Sequence, residues 1–198
     1  MNVIRAYEKK MGIDFIQPMG FEEAGTDPRI AQYYHSSHDK VINQAIKCVF
    51  SEEDSRKGFF DYGCGKGKVI YIASKYNFSK LGGVELSPKI VNIAKKNMAH
   101  LKINNVDIIG GDAREYTDID EYDVFYFYNP FPAVVMDVVL ENIKASYYRN
   151  QRKISLIYFN PVHERCFTNA GINKVNEFST RIGLRRRPSL PVYIYEIL

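Results

Sequence analysis

The chain has no tryptophan, and it contains only three cysteines, Cys48, Cys64 and Cys166. An odd number of cysteines at these spacings matches neither a disulfide framework nor a CxxC metal site. We therefore expect three free thiols in a reducing compartment, and no metal centre.

Long hydrophobic runs are also missing. The longest apolar stretches, such as Ile154–Phe159, fall well short of the roughly 20 residues that a membrane span requires. The first ten residues, MNVIRAYEKK, carry charges where a signal peptide has its apolar region. These absences predict a soluble, cytoplasmic protein with no membrane partner.

Neither sign of charge is in strong excess, since 27 basic and 23 acidic side chains leave a formal net charge of +4. A dedicated nucleic-acid-binding domain is usually far more basic. Basic residues do occur near one another at Arg149, Arg152 and Lys153 and at 185–187 (Arg-Arg-Arg), but without the interleaved aromatics that stack on bases. A solvated surface turn is the expected reading, and nucleic acid is a possible but not favoured partner.

What the sequence does contain is enough apolar material for one packed domain, at 198 residues and 45% hydrophobic. From Gly58 onward, short apolar runs alternate with helical periodicity, which is typical of an α/β parallel sheet. The expected strands are Phe59–Tyr62, Leu81–Leu86, Val106–Gly110, Tyr122–Asn129, Lys153–Asn160, Lys174–Thr180 and Val192–Ile197. Helices are expected after the cap Ser87-Pro88 and over Val134–Ala145. The last two strands should form a hairpin, one of them antiparallel to the others.

Residues 1–57 are predicted to be a small N-terminal helical cap, distinct from a domain over 58–198. The apolar spacing from Val41 to Phe50 predicts a helix with Ser36 or Ser37 near its N-cap, and Gly20–His35 is expected to be a loop or broken helices. By fold, such a cap is expected over the open end of the sheet.

The central motif is a glycine loop that follows the first strand, Asp61-Tyr62-Gly63-Cys64-Gly65-Lys66-Gly67. Glycines at every second position allow a tight turn and close approach of a ligand. The spacing is not the G-x-G-x-x-G of a dinucleotide site, and no G-K-[ST] of a phosphate-binding loop follows. Asp61 would repel a pyrophosphate, but it suits a ligand that carries an ammonium or a sulfonium.

Two further acids follow the next two strands. Glu85 lies 24 residues after Asp61, where its carboxylate can accept both hydroxyls of a ribose. Asp112 can accept the exocyclic amine of adenine, the Ala113 amide can donate to a ring nitrogen, and Leu86 offers an apolar face. Because open α/β sheets bind ligands at the carboxyl ends of their strands, the three acids predict one ligand-binding edge. Separately, each could be a turn residue or a solvated strand-end charge.

Together, these motifs resemble the class I S-adenosylmethionine-dependent methyltransferases, in particular small bacterial members of unassigned substrate. Asp61–Gly67 resembles their glycine motif, Glu85 their ribose-binding acid and Asp112-Ala113 their adenine motif. The resemblance covers about three-quarters of the chain. It implies a Rossmann-like seven-stranded, mostly parallel sheet with an antiparallel last strand, helices on both faces and S-adenosylmethionine as cofactor.

After the fourth strand, Asn129-Pro130-Phe131-Pro132 resembles the N-P-P-[FY] motif of methyltransferases that act on amide or amine nitrogens. The resemblance implies that Asn129 contacts both cofactor and acceptor as the catalytic residue, and that Phe131 contacts the acceptor. The motif departs from the pattern, since Phe131 takes the second proline's place and Pro132 the aromatic's. The alternative is a helix-entry turn with asparagine as cap.

Three further residues are candidates for the acceptor site. Asn160-Pro161-Val162-His163 follows the fifth strand, and His163 could contact the acceptor or only begin a helix. In the leading segment, residues 34 and 35 (Tyr34 and His35) could face the acceptor or anchor the cap. The sequence thus predicts a methyltransferase for an unidentified acceptor, with a nitrogen of a small molecule or protein side chain favoured. The alternatives are an RNA or protein modifier that docks through its basic hairpin, and a non-catalytic module that binds the cofactor.

Overall fold

A computed structural model describes residues 2–27, 29, 38–50, 57–181 and 189–198. These residues contain seven helices and seven strands. The helices are α1 (Asn2–Met11), α2 (Phe21–Ala24), α3 (Asp39–Val49), α4 (Lys68–Ala73), α5 (Pro88–His100), α6 (Ala133–Arg149) and α7 (Glu164–Asn169). The strands are β1 (Gly58–Tyr62), β2 (Lys80–Glu85), β3 (Val106–Gly110), β4 (Val124–Tyr128), β5 (Ile154–Phe159), β6 (Asn173–Arg181) and β7 (Ser189–Ile197).

All seven strands form one sheet in the order β3-β2-β1-β4-β5-β7-β6. Strands β1 to β5 pair in parallel, whereas β7 runs antiparallel to both β5 and β6. The predicted Rossmann-like sheet with a reversed last strand is therefore confirmed. The order reverses at β1, where one half winds toward β3 and the other toward β4, and ligands of such sheets bind beside this switch point.

Helices cover both faces of the sheet, as predicted. Successive residues of a strand point to opposite faces, so neighbouring side chains of one strand pack against different helices. Phe59 lies in the apolar cluster that includes α3, α4 and α5, and its neighbour Phe60 lies in the cluster that includes α6 and α7. All five residues of β1 are buried, as expected for a strand covered on both faces.

The predicted start of α5 is confirmed. Pro88 occupies the first turn, and the Ser87 hydroxyl accepts a hydrogen bond from the Ile90 amide at 3.3 Å. Helix α3 begins after His38, and the predicted caps at 36 and 37 lie outside the described residues.

Helix α3 packs on one face of the sheet. Its residues Val41, Ile42, Ala45 and Ile46 are buried in the cluster that contains Phe59 from β1. The apolar stripe of α3 is covered by the sheet face, where it removes more surface from water than an exposed cap would. Residues 14–24 of the leading segment lie nearer the carboxyl ends of the strands.

Among the described residues, no helix is both long and apolar enough to cross a membrane.

Candidate cofactor and acceptor site

The glycine loop after β1 has the backbone that its composition predicts. Gly63, Gly65 and Gly67 all adopt positive φ, at 72°, 54° and 84°. Residues with a Cβ rarely adopt positive φ, so this turn requires the alternating glycines. The amides of Gly63 and Cys64 both donate to the Val84 carbonyl, at 2.9 and 3.0 Å, which fastens the loop to the end of β2.

The same loop lies in direct contact with the turn that follows β4. A Cβ on Gly63 would come within 2.6 Å of the Pro130 Cβ, far closer than two carbons can approach. The glycine loop and the Asn129-Pro130 turn therefore pack against each other with no room for a side chain between them. Residues predicted for cofactor and for acceptor thus share one corner of the strand-end edge.

This contact predicts that Gly63→Ala destabilises the protein much more than Gly171→Ala does. Both glycines have nearly the same φ, 72° and 71°, but nothing lies within 4 Å of a Cβ at Gly171. The Gly171 variant should lose about 1 kcal/mol from left-handed strain alone. The Gly63 variant should lose about 3 kcal/mol, because overpacking adds to the strain. Urea unfolding of both variants measures the difference, and equal losses would show that Pro130 simply moves aside.

Two acidic side chains lie near each other at the glycine loop, Asp61 buried and Glu85 partly buried. Asp61 is 2% exposed, and burial, together with the neighbouring charge of Glu85, raises the pKa of its carboxyl well above the ordinary value. Burial also raises the pKa of Glu85, although amides of Ser87 and Gly65 donate to its carboxylate at 2.9 and 3.1 Å. Two carboxylates in one poorly hydrated corner favour a positively charged ligand, which would lower the cost of ionising them.

Cys64, within the same loop, is 5% exposed, and burial raises the pKa of its thiol. All three cysteines are free, as expected, and Cys48 is the exposed one. A buried thiol with a raised pKa reacts slowly with alkylating reagents.

Asp112 has a different environment from the other two acids. The Arg114 guanidinium forms a two-pronged ion pair with it, with contacts of 3.0 Å from Nε and 2.5 Å from the terminal nitrogen. This hydrogen bonding lowers the pKa of the Asp112 carboxyl. Ala113 and Leu86 lie partly buried at the same edge, where they were predicted to be. Arg114 was missed in the sequence, although an arginine two residues after an acid was a readable signal.

The fully buried Lys66 joins the glycine loop to the leading segment. Its Nζ donates to the Asp14 carboxylate at 2.5 Å and to the Gln17 carbonyl at 2.7 Å, and the residue has no exposed surface. The Asn97 side chain of α5 donates to the carbonyls of both Asp14 and Lys66, at 2.8 and 2.9 Å. We call this group the Lys66 cluster. No periodic signal in the sequence pointed to it, because its members come from three distant segments.

Residues 20–24 are also bonded to the sheet domain. The Ser87 hydroxyl donates to the Ala24 carbonyl at 2.5 Å, and Lys89 donates to the Glu23 carbonyl at 2.9 Å. Together with the Lys66 cluster, these bonds hold residues 14–24 beside the glycine loop and the first turn of α5.

At the end of β4, Asn129 has φ of 39°. Its side-chain oxygen is buried and has no hydrogen-bond donor among the described residues. A buried acceptor atom without a partner is costly, and a ligand group that donates to it would relieve that cost.

Of the other residues predicted to contact the acceptor, Phe131 and His163 lie among the described residues. Phe131 is 4% exposed and packs its ring edge-on to Phe127 and Tyr62, so little of its surface faces outward. His163 is the residue before α7, partly buried, and its amide donates to the Tyr158 hydroxyl at 3.2 Å. Tyr34 and His35 lie outside the described residues.

A family model described as a methyltransferase domain matches residues 53–170. An uncharacterised protein of Methanocaldococcus jannaschii is 36% identical over 84 residues, which is 42% of this chain and 31% of that protein. A probable (S)-tetrahydroprotoberberine N-methyltransferase of Papaver bracteatum is 29% identical over 111 residues, which is 52% of this chain and 31% of that protein. The chain thus spans about a third of the length of these curated relatives.

Solved structures show the same fold. An RNA methyltransferase from Salinibacter ruber, in complex with S-adenosyl-L-homocysteine, has a TM-score of 0.56 at 17% identity, covering 81% of this chain and 92% of that one. Magnesium protoporphyrin IX methyltransferase from Synechocystis PCC 6803, with the same compound bound, has a TM-score of 0.58 at 14% identity, covering 80% and 82%.

The fold, the glycine loop and the acids at the strand ends are those of an S-adenosylmethionine-dependent methyltransferase domain. With more than half of the chain matched by the family model, the protein belongs to the methyltransferase domain family. The predicted family and its cofactor are thereby confirmed, whereas the roles of single residues stay predictions.

Proposed function

We propose that the chain transfers the methyl group of S-adenosylmethionine to a nitrogen atom of a small molecule or of a protein side chain. The observation that carries this proposal is the buried, unpartnered side-chain oxygen of Asn129 at the end of β4. An N–H or O–H group of an acceptor would supply the missing hydrogen bond, and the choice of nitrogen rests on the resemblance of Asn129-Pro130-Phe131 to the motif of nitrogen methyltransferases. The similarity to an N-methyltransferase that acts on a small molecule is consistent with this assignment.

The residues at the neighbouring strand ends fit the cofactor. Asp61 and Glu85, with their raised pKa values, favour a cationic ligand, and the open glycine loop admits close approach of its backbone. Glu85 would accept the ribose hydroxyls with the lone pairs that Gly65 and Ser87 leave free. When bound, S-adenosylmethionine supplies an electrophilic methyl group on positively charged sulfur.

Asp112 would accept the amine of adenine while it stays paired with Arg114, since each carboxylate oxygen accepts more than one hydrogen bond.

The protein's share of the chemistry is positioning and exclusion of water. Asn129 would hold the acceptor nitrogen by one of its hydrogens, so that the lone pair is directed at the methyl group. A neutral amine attacks without a general base, and the proton released afterwards goes to water. Residues 14–24, held by the Lys66 cluster, would act as the cap beside the cofactor pocket and limit access of solvent to it.

Cofactor binding is tested by calorimetric titration with S-adenosylmethionine and S-adenosylhomocysteine. We expect dissociation constants in about the micromolar range. Glu85→Ala should weaken both by at least about tenfold, because a charged hydrogen-bond acceptor is lost. Glu141→Ala, which removes an exposed glutamate paired with Lys144 on α6, is the matched control and should change nothing. Absence of binding by the unchanged protein would overturn the proposal.

The acceptor atom is tested by transfer of a labelled methyl group to a panel of primary amines, amine-bearing peptides and matched alcohols. Asn129→Gly keeps the left-handed backbone while removing the amide. We expect it to lower transfer to amines by about 100-fold, as loss of one preorganised polar contact commonly does. Affinity for S-adenosylhomocysteine should stay within about twofold of the unchanged protein. Transfer to alcohols in preference to amines would contradict the nitrogen assignment.

A second candidate, an RNA or protein modifier that docks through basic residues, has less support. Arg149 is paired with Asp120 at 2.7 Å and Lys153 with Glu196 at 2.7 Å. Arg152 is largely buried and donates to the Tyr122 carbonyl at 2.6 Å. These three side chains are therefore engaged within the fold, and residues 185–187 lie outside the described residues. A steep loss of RNA binding with rising salt would favour this candidate.

A further inference from the structure

The same dipeptide, Asn-Pro, follows two neighbouring strands of the sheet. Asn129-Pro130 follows β4 and Asn160-Pro161 follows β5. The last residues of these strands, Tyr128 and Phe159, are paired in register, so the two asparagines occupy the same row of the sheet edge. Neighbouring strands run about 4.8 Å apart, which brings the two side chains within reach of one small group.

Both asparagines have the same unfavourable backbone. Their φ angles are 39° and 52°, and only one other residue with a Cβ, Lys102, has positive φ among the described residues. Asparagine adopts left-handed backbone more readily than other residues with a Cβ, whereas a following proline disfavours helical conformations. Strain of this kind, repeated at adjacent strand ends, is characteristic of functional sites.

The side chain of Asn160 is free to bind a ligand, whereas its backbone is fully engaged. The amide donates to the Pro191 carbonyl at 2.9 Å, and the carbonyl accepts from the Val162 amide at 2.9 Å. No described residue forms a hydrogen bond with the Asn160 side-chain amide, which is partly buried. Beside it, the side-chain oxygen of Asn129 is buried and also lacks a partner among the described residues. Two neighbouring strand ends therefore each carry a side-chain amide with an oxygen that no described residue bonds.

We propose that Asn160 is a second acceptor-positioning residue, which together with Asn129 selects a primary amine. This inference rests on the proposed transfer to nitrogen. Each side-chain oxygen would accept one of the two hydrogens of the amine, which leaves the nitrogen lone pair as the only group directed at the methyl carbon. The lone pair forms the N–C bond as the C–S bond breaks, and the electron pair of that bond stays on sulfur. The methylammonium product then releases one proton to water.

The pair of acceptors also implies that the reaction stops after one transfer. A primary amine offers two N–H donors, whereas its monomethylated product offers one. The product would leave one of the two asparagine oxygens unsatisfied, and a site built to bond a donor discriminates strongly against a ligand that lacks it.

The test uses sinefungin, a cofactor analogue in which a C–NH₃⁺ group replaces the sulfonium S–CH₃, so its ammonium probes the position of the methyl group. Calorimetry on the full chain compares sinefungin with S-adenosylhomocysteine. We expect sinefungin to bind about tenfold more tightly, since its ammonium would be attracted by Asp61 and Glu85 and would donate to both asparagines; only the second part is lost when Asn160 is replaced. Asn160→Gly keeps the left-handed backbone, and it should lose about fivefold in sinefungin affinity with S-adenosylhomocysteine affinity unchanged.

The matched control is Lys102→Gly, which relieves the same kind of strain after α5 without removing an amide from the strand-end edge. It should leave both affinities unchanged. Asn160→Asp should act in the opposite direction and tighten sinefungin binding, because a carboxylate pairs with the ammonium more strongly. This second variant keeps the inference testable if Asn160→Gly does not fold.

The outcomes separate the inference from the proposed function. If the unchanged protein binds neither compound, the proposed function fails. If both compounds bind but sinefungin shows no advantage, or keeps it in the Asn160 variants, the role of Asn160 is overturned and the proposed function stands.

Discussion

Replacing Asp61 with asparagine is expected to stabilise the free protein while weakening its affinity for S-adenosylmethionine by about 10- to 100-fold. The carboxyl is 2% exposed, and burial first, with the Glu85 charge second, raises its pKa. Because its pKa is raised on folding, the group contributes fully to stability below its unfolded pKa of about 4, and this contribution is lost progressively as pH rises through the folded pKa. At neutral pH, asparagine avoids the cost of burying the charge.

We expect the variant to gain about 1 kcal/mol in the free energy of unfolding at pH 7, which corresponds to a rise in Tm of about 2–4 °C for a chain of this size. Thermal unfolding and calorimetric titration measure the two effects. Asp118→Asn, at an exposed position before β4, is the control and should change neither quantity. A variant that melts lower and binds normally would show that Asp61 has a structural role only.

The same electrostatics predict how binding depends on pH. A cationic ligand favours the ionised carboxylates, so binding lowers the raised pKa values of Asp61 and Glu85 and releases protons. Affinity should therefore increase as pH rises through those pKa values, and the increase should be smaller in Asp61→Asn. Titrations in buffers of different ionisation enthalpy report the protons released.

The second large effect is expected in the Lys66 cluster. Asp14→Ala removes the counter-charge from an ammonium with no exposed surface, and it should cost about 3 kcal/mol. Lys66→Met keeps the apolar stem and leaves Asp14, whose side chain is 37% exposed, accessible to water. We therefore expect Lys66→Met to cost much less, and the double variant to resemble it.

Urea unfolding of the three variants measures this order. Asp27→Ala breaks the exposed pair with Arg29 in the same segment, and this control should cost less than about 0.5 kcal/mol. Loosening of residues 14–24 should also speed dissociation of S-adenosylhomocysteine in Asp14→Ala. Equal losses for Asp14→Ala and Lys66→Met would contradict the account of a buried charge that needs its partner.

Much of the fold was predictable because its signals are local. Short apolar runs indicated the first five strands and alternating residues the last two, and Ser87-Pro88 indicated the start of α5, whose cap the structure confirms. The glycine spacing predicted a tight turn, and Gly63, Gly65 and Gly67 form it with positive φ. Helix α3 was predicted too, but its packing on the sheet face was not. An amphipathic pattern shows which face of a helix is buried, but it does not show which element covers that face.

The candidate site was predictable to a smaller extent. The position of the acids followed from the rule that parallel strands end at one edge. Their different protonation behaviour did not follow, because it depends on neighbours: Arg114 lowers the pKa of Asp112, whereas burial raises that of Asp61. Phe131 packs its ring against Tyr62 and Phe127, and its contact with the acceptor stays a prediction.

By itself, the sequence determined the class of fold, the order of elements and the loop that identifies the family, since each depends on residues close together in the chain. Only the tertiary structure decided which distant groups meet. Lys66 contacts Asp14, 52 positions away, and Tyr128 pairs with Phe159, so that Asn129 and Asn160 follow neighbouring strand ends. Packing brings such pairs together across the sheet edge, and contacts between distant positions leave no periodic trace in a single sequence.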